Sequence, residues 1–115
     1  MIELSNSKEH YLRAIYKLSA KEGCARITDI AIELGVTKAS TCRAVKELEE
    51  MMLVCKDSVH RVYLTEKGKN TVIPIVKNYE KLKNFFVSTL GVNELEAGIL
   101  ACALEHVIDI ERYIF

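Results

Sequence analysis

Net charge is the first thing this sequence lacks. Its 16 Lys and Arg stand against 16 Asp and Glu, so composition alone gives no reason to propose a nucleic acid or a membrane surface as partner. It has no apolar run approaching the roughly 18 residues of a membrane span. The start, Met1-Ile2-Glu3-Leu4-Ser5, has neither the basic region nor the apolar stretch of a signal peptide. A cytoplasmic protein with no membrane partner is expected. The four cysteines, Cys24, Cys42, Cys55 and Cys102, form no Cys-x-x-Cys pair, which excludes a zinc ribbon and a thioredoxin-like centre. In a reducing compartment they are free thiols, and Cys24 and Cys55 read as small buried hydrophobes. A glycine-rich phosphate loop and a Gly-x-Ser-x-Gly elbow are also missing, and there are 3 histidines, so no enzyme is expected.

What is present is a helical pattern. Half of the 115 residues are hydrophobic, and a chain of this length buries roughly two-thirds of its unfolded surface, enough for one core without disulfides. Ser7 is placed to cap a helix from Lys8 to near Ala20, with Tyr11, Leu12, Ile15 and Leu18 on one face. Thr28 is placed to cap a short helix that ends at Gly35. Thr37 then caps a helix from Lys38 to near Met51, whose stripe Thr41, Val45, Leu48 and Met52 faces inward. Two helices joined by a short glycine turn, with a small residue, Ala31, where they pack, make a helix-turn-helix. Two short strands follow, Leu53 to Lys56 and Arg61 to Thr65, around the polar tip Asp57-Ser58-Val59-His60, which makes it a winged helix. Thr65 caps a long helix to near Leu90, in which Pro74 predicts a kink. Asn93, with Glu96 three residues on, starts another helix through Leu95, Ile99, Cys102, Ala103 and Val107, and Asp109 is placed to cap a last one. The expected fold class is mostly α, with a winged helix-turn-helix DNA-binding domain over 1–73 and a helical metal-binding and dimerisation region over 74–115.

The helix Lys38 to Met51 carries base in its N-terminal half and Glu47, Glu49 and Glu50 in its C-terminal half, the order that suits entry into the major groove by the N-terminus. Thr37, Lys38, Ala39, Ser40, Arg43 and Lys46 are the candidate DNA-binding residues. Lysines suit phosphates, Arg43 a guanine edge, and the Ala39 methyl a thymine methyl. The alternative is a solvated helix face. His60 and Arg61 at the wing are candidates for phosphate or minor-groove contact, against the alternative of an ordinary polar turn. Cys102, Glu105 and His106 fall on one side of a helix and offer three transition-metal donor types; a core thiol beside a surface pair is the bland reading. His10 is the candidate fourth ligand.

Taken together, Glu9-His10-Tyr11-Leu12-Arg13-Ala14-Ile15-Tyr16, Asp29-Ile30-Ala31, Leu34-Gly35-Val36, Leu64-Thr65-Glu66-Lys67-Gly68, Leu90-Gly91-Val92 and Cys102-Ala103-Leu104-Glu105-His106-Val107 resemble the metal-dependent repressors of the diphtheria toxin repressor and manganese transport regulator type. The resemblance implies a homodimer that binds an inverted-repeat operator in double-stranded DNA when a divalent metal joins the N-terminal helix to the dimerisation helices. It places Cys102, Glu105 and His106 at the iron-type metal positions, and His10 where iron-type members have Met and manganese-type members Asp. The ancillary ligands of such proteins are here Tyr79, Lys83 and Gly98, and Arg13 stands where manganese-type members carry a second carboxylate, which implies one metal per protomer. A thiolate and up to two imidazoles favour Fe(II), Co(II), Ni(II) or Zn(II) over Mn(II); Fe(II) is the expected metal, with Zn(II), Co(II), Ni(II) or Mn(II) as alternatives. Compared with such proteins the chain ends after about one turn of a final helix and without an SH3-like domain, so a weaker dimer is expected. The reading is a metal-responsive repressor controlling metal-ion homeostasis genes. Its alternatives are a winged-helix regulator that no longer responds to metal and a winged-helix protein-interaction module.

Overall fold

The computed structural model describes residues 4–105. Helix α1 (Asn6–Glu22) opens at Ser5, whose hydroxyl accepts from the Lys8 N–H at 3.2 Å and whose carbonyl accepts from the Glu9 N–H at 3.0 Å. The sequence pointed to Ser7. Capping two residues earlier closes further backbone hydrogen bonds, and a serine inside the helix costs little. Gly23 ends the helix in the left-handed region (φ 81°), donating to the Ser19 carbonyl at 2.7 Å.

A two-residue strand, β1 (Ala25–Arg26), leads straight into α2 (Ile27–Leu34). Arg26, not Thr28, is the cap, and no side-chain hydrogen bond serves it. Pairing of Arg26 with Arg61 holds its backbone extended (φ −111°, ψ 147°), so the strand ladder supplies the geometry that a capping side chain would otherwise fix. Gly35 closes α2 at φ 66°. Thr37 caps α3 (Lys38–Glu50), accepting from the Ser40 N–H at 3.0 Å.

Met52 departs from the expected stripe. It takes a positive φ of 63° and is 70% exposed, while Leu53 is fully buried. The chain reverses there, with Leu53 N–H donating to the Leu48 carbonyl at 3.0 Å, and this turn exchanges Met52 for Leu53 in the core. Strands β2 (Val54–Lys56) and β3 (Arg61–Leu64) form the wing, and the antiparallel sheet order is β1-β3-β2. Val54 pairs with Leu64 and Cys55 with Tyr63; Val54 and Val62 face inward. Cys55 is therefore exposed by strand alternation and Cys24 is half-buried, so neither is the buried hydrophobe expected.

Helix α4 (Glu66–Leu90) begins at Thr65, whose hydroxyl accepts from the Gly68 N–H at 3.0 Å and donates to the Met52 carbonyl at 2.6 Å. Gly68 packs so closely that a Cβ there would overlap the Leu53 carbonyl oxygen. The chain divides into two compact units between Val72 and Ile73, inside α4 and beside Pro74. In the first, Leu12 and Ile15 of α1, Ile30 of α2, Val45 and Leu48 of α3 and Val62 of β3 are fully buried, each stabilising the core by roughly 1.5–3 kcal/mol. In the second, α5 (Glu94–Leu104) starts at Asn93, whose side chain accepts from the Glu96 N–H at 2.8 Å. Leu82 and Phe86 of α4 pack there against Ala97 and Ala101. The fold is mostly α, a winged helix followed by a helical region, as the sequence predicts. Among the described residues no helix is long and apolar enough to cross a membrane.

Candidate nucleic-acid interface and metal ligands

Helix α3 is held by its stripe. Val45 and Leu48 are buried, and Thr41 is buried as well, its hydroxyl donating to the Thr37 carbonyl at 2.9 Å so that this polar group is satisfied in the core. Packing this stripe inward leaves Lys38, Ala39, Cys42, Arg43 and Lys46 exposed on the other side. Thr37 and Ser40 are bonded to each other through their hydroxyls at 3.0 Å, which fixes the first turn, where the helix dipole is positive.

Two of the three glutamates in the acidic half of α3 face lysines within the same unit. Glu47 pairs with Lys8 of α1 at 2.9 Å, and Glu49 lies 3.9 Å from Lys56 of β2. Both pairs are partly solvated and so add little stability, but they remove negative charge from beside the basic face. A groove of about 330 Å³ runs between the start of α1 and α3, bordered by Ser5, Ser7, Lys8, Ser40, Arg43 and Glu47. Sequence reasoning did not find that α1 reaches the basic half of α3; the two serines beside Lys8 were its only trace.

At the wing, His60 takes a positive φ of 63°, and Ser58, Val59 and His60 are exposed. One Asp57 oxygen accepts from the N–H groups of Val59 (3.0 Å) and Arg61 (2.9 Å), and the other from Arg61 Nε (2.8 Å) and the Tyr63 hydroxyl (3.2 Å). The Arg61 backbone bond, followed by its guanidinium and the other donors, outweighs desolvation and holds the Asp57 carboxyl down at about 2. Arg61 is raised in turn by its bond to this carboxylate, and the Tyr63 hydroxyl is raised by desolvation and by the bond to Asp57. Asp57 escaped the sequence reading, although an Asp followed by Ser at a strand end is the side-chain-capped turn that this loop adopts.

The candidate metal ligands fall in both units. His10 is half-buried on α1, with Arg13 Nη2 lying 3.4 Å from its Nδ1. Cys102, half-buried, and Glu105, buried, close α5 three residues apart and so on one side of the helix. Asn78 Nδ2 of α4 donates to the Glu105 carbonyl at 2.9 Å, tying down the end of α5. His106, Val107 and the cap expected at Asp109 lie outside the described residues. Leu95 and Ile99, one turn apart on α5, are 77% and 63% exposed.

Sequence comparison matches residues 3–58 to the iron dependent repressor N-terminal DNA binding domain and residues 65–112 to the iron dependent repressor metal binding and dimerisation domain. The HTH-type transcriptional regulator MntR of Geobacillus thermodenitrificans is 34% identical over 88 residues, 76% of this chain and 62% of that protein. An uncharacterised HTH-type transcriptional regulator of Methanocaldococcus jannaschii is 33% identical over 110 residues, covering 94% of this chain and 87% of its own. Among solved structures, the manganese regulator SloR superposes with a TM-score of 0.79 at 29% identity, over 91% of this chain and 50% of that one. The chain thus spans less than two-thirds of the length of MntR and half that of SloR.

Proposed function

The chain belongs to the iron-dependent repressor family, and from that premise we propose that it is a metal-responsive, DNA-binding transcriptional repressor of metal-ion homeostasis genes. The observation that carries this reading is the exposed basic face of α3, with Glu47 and Glu49 of the same helix set against lysines, in a chain that also holds a withdrawn thiol and carboxylate one turn apart on α5. In this reading α3 enters the major groove by its N-terminal half. Lys38 and Lys46 meet phosphates, Arg43 and Ala39 meet base edges, Thr37 and Ser40 hold the first turn, and His60 and Arg61 add wing contacts.

The ligands are Cys102, Glu105 and His106 with His10, one divalent cation per protomer. Burial of Glu105 supports this, because a cation offsets the desolvation of a buried carboxylate. A bound cation would supply the positive charge that these thiolate and carboxylate donors call for. Thiolate and imidazole donors favour Fe(II), Co(II), Ni(II) or Zn(II) over Mn(II); Fe(II) is the cation of this reading, with the other four as alternatives, and SloR is a manganese regulator. Arg13 beside His10 favours one cation over two, since a guanidinium repels a second metal. Leu95 and Ile99 form the face through which a second copy docks, and a twofold dimer then reads an inverted-repeat operator.

Anaerobic titration of the reduced protein with Fe(II), Mn(II) and Zn(II), followed by fluorescence anisotropy on DNA, tests the reading. About one metal per protomer and metal-stimulated DNA binding are expected, both lost in His106→Ala. A hundredfold gain in affinity requires about 2.7 kcal/mol of preference for the DNA-competent state. DNA binding indifferent to metal and to His106→Ala would leave a regulator without metal control, the second reading, which Arg13 beside a ligand also favours. A flat response to salt, or no DNA binding at low salt, would leave a protein-interaction module.

A further inference from the structure

A carboxylate at the tip of a DNA-facing wing is an electrostatic liability, since it repels the phosphates that the wing must approach. Asp57 is nonetheless the most heavily bonded side chain of the wing: two backbone N–H groups go to one oxygen, and Arg61 Nε and the Tyr63 hydroxyl go to the other. The two oxygens divide the work. Oδ1 closes the turn that sets His60 at φ 63°, whereas Oδ2 takes hold of the guanidinium.

A guanidinium has two edges that can engage an anion, one through Nε and one through its two terminal nitrogens. The 2.8 Å bond from Nε to Asp57 occupies the first, fixes the plane of the group and leaves the second to project past the carboxylate. Arg61 is 43% exposed at its side chain and sits on β3 beside the exposed tip Ser58-Val59-His60, so the fixed edge lies at the wing surface. The second strand contact of Arg26 with Arg61 anchors this backbone to the start of α2.

We propose that Asp57 is a positioning residue for DNA binding: its Oδ2 orients Arg61 so that the terminal nitrogens meet a backbone phosphate as a preformed fork. This rests on the DNA-binding reading above and adds a role for a residue of the wrong charge. Preorganisation removes the rotamer entropy that a free arginine loses on contact, which is why a negative charge here strengthens rather than weakens the complex. Tyr63, bonded to the same oxygen, keeps that oxygen directed along the strand.

The test uses the sign of the charge effect. Asp57→Asn keeps an oxygen for the Val59 and Arg61 amides but presents an amide where Arg61 Nε needs an acceptor. Removing one negative charge would by Coulomb attraction alone tighten DNA binding; the proposal demands the reverse. Wild type, Asp57→Asn, Arg61→Ala, Arg61→Lys and the double variant Asp57→Asn with Arg61→Ala, each with and without saturating Fe(II) under anaerobic conditions, are titrated against a fluorescein-labelled mixed-sequence duplex over a range of salt, with thermal melting alongside. Expected are several-fold weaker binding in each single variant, a salt slope smaller by about one in Asp57→Asn and Arg61→Ala, and a double variant no weaker than Arg61→Ala. Arg61→Lys, which keeps the charge without Nε, carries the test should Asp57→Asn melt early, and it too must bind less tightly. Equal or tighter binding by a folded Asp57→Asn, or unchanged binding by Arg61→Lys, overturns the positioning role while leaving DNA binding intact. No binding by the wild type at low salt overturns both.

Discussion

Asp57 holds its charge to about 2, against an ordinary 3.8, so its share in the stability of the wing is complete above 3.8 and is lost as acid approaches the lower value. Amide exchange at Val59 and Arg61 should accordingly rise on acidification through that window in the wild type, and Asp57→Asn should show no such step; a step of equal size in both would remove Asp57 as its source. Gly68 makes a second prediction at this scale. A Cβ there would overlap the Leu53 carbonyl oxygen, which already accepts from the Thr65 N–H at 3.1 Å, so neither partner has room to give way. Gly68→Ala should lower stability by about 1–3 kcal/mol in urea unfolding, opposite to the gain that alanine brings in an open helix. Sequence reading finds placements that follow from spacing, such as Arg43 on the exposed side of α3 or Cys102 and Glu105 three residues apart on α5. It misses Asp57, because the donors that converge on it come from a turn, a facing strand position and a side chain whose alignment no periodicity records.

The helices were legible from their 3.6-residue apolar stripes and, for α1, α2 and α4, from the closing glycines Gly23, Gly35 and Gly91. Strand β1 was not, since two residues show no alternation and its existence depends on Arg61 far along the chain. Caps depend on alternatives only two residues apart, and they can be told from one another by mutation. Ser5→Ala should cost about 1 kcal/mol of stability, whereas Ser7→Ala should cost almost nothing; the opposite order would return the helix start to the later serine. Thr37 has the same capping role at α3, where losing it frays the turn that carries Lys38 and Ser40. Thr37→Ala should therefore weaken DNA binding as well as lower the melting temperature, and a change in melting alone would separate the cap from the interface.

For the whole molecule, the proposed dimer places its contact on α5. Two large apolar side chains, Leu95 and Ile99, are exposed one turn apart while Ala97 and Ala101 fill the core side. Leu95→Lys with Ile99→Lys should give a monomer by sedimentation with an unchanged helical spectrum and weakened DNA binding; an unaltered sedimentation coefficient would move the dimer contact elsewhere. The same helix meets α4 at Gly98, where a Cβ would stand 3.3 Å from the Tyr79 hydroxyl. Both stand where the resemblance implies ancillary ligands in other members. Here a phenol and a missing side chain fit one another, so a histidine restored at 98 alone would collide with Tyr79, and a smaller residue placed at 79 alone would open a void. The packing of Tyr79 on Gly98 thus makes substitutions at these two positions interdependent: each alone lowers stability, whereas a matched pair need not, so any new donor at 98 requires a change at 79 with it.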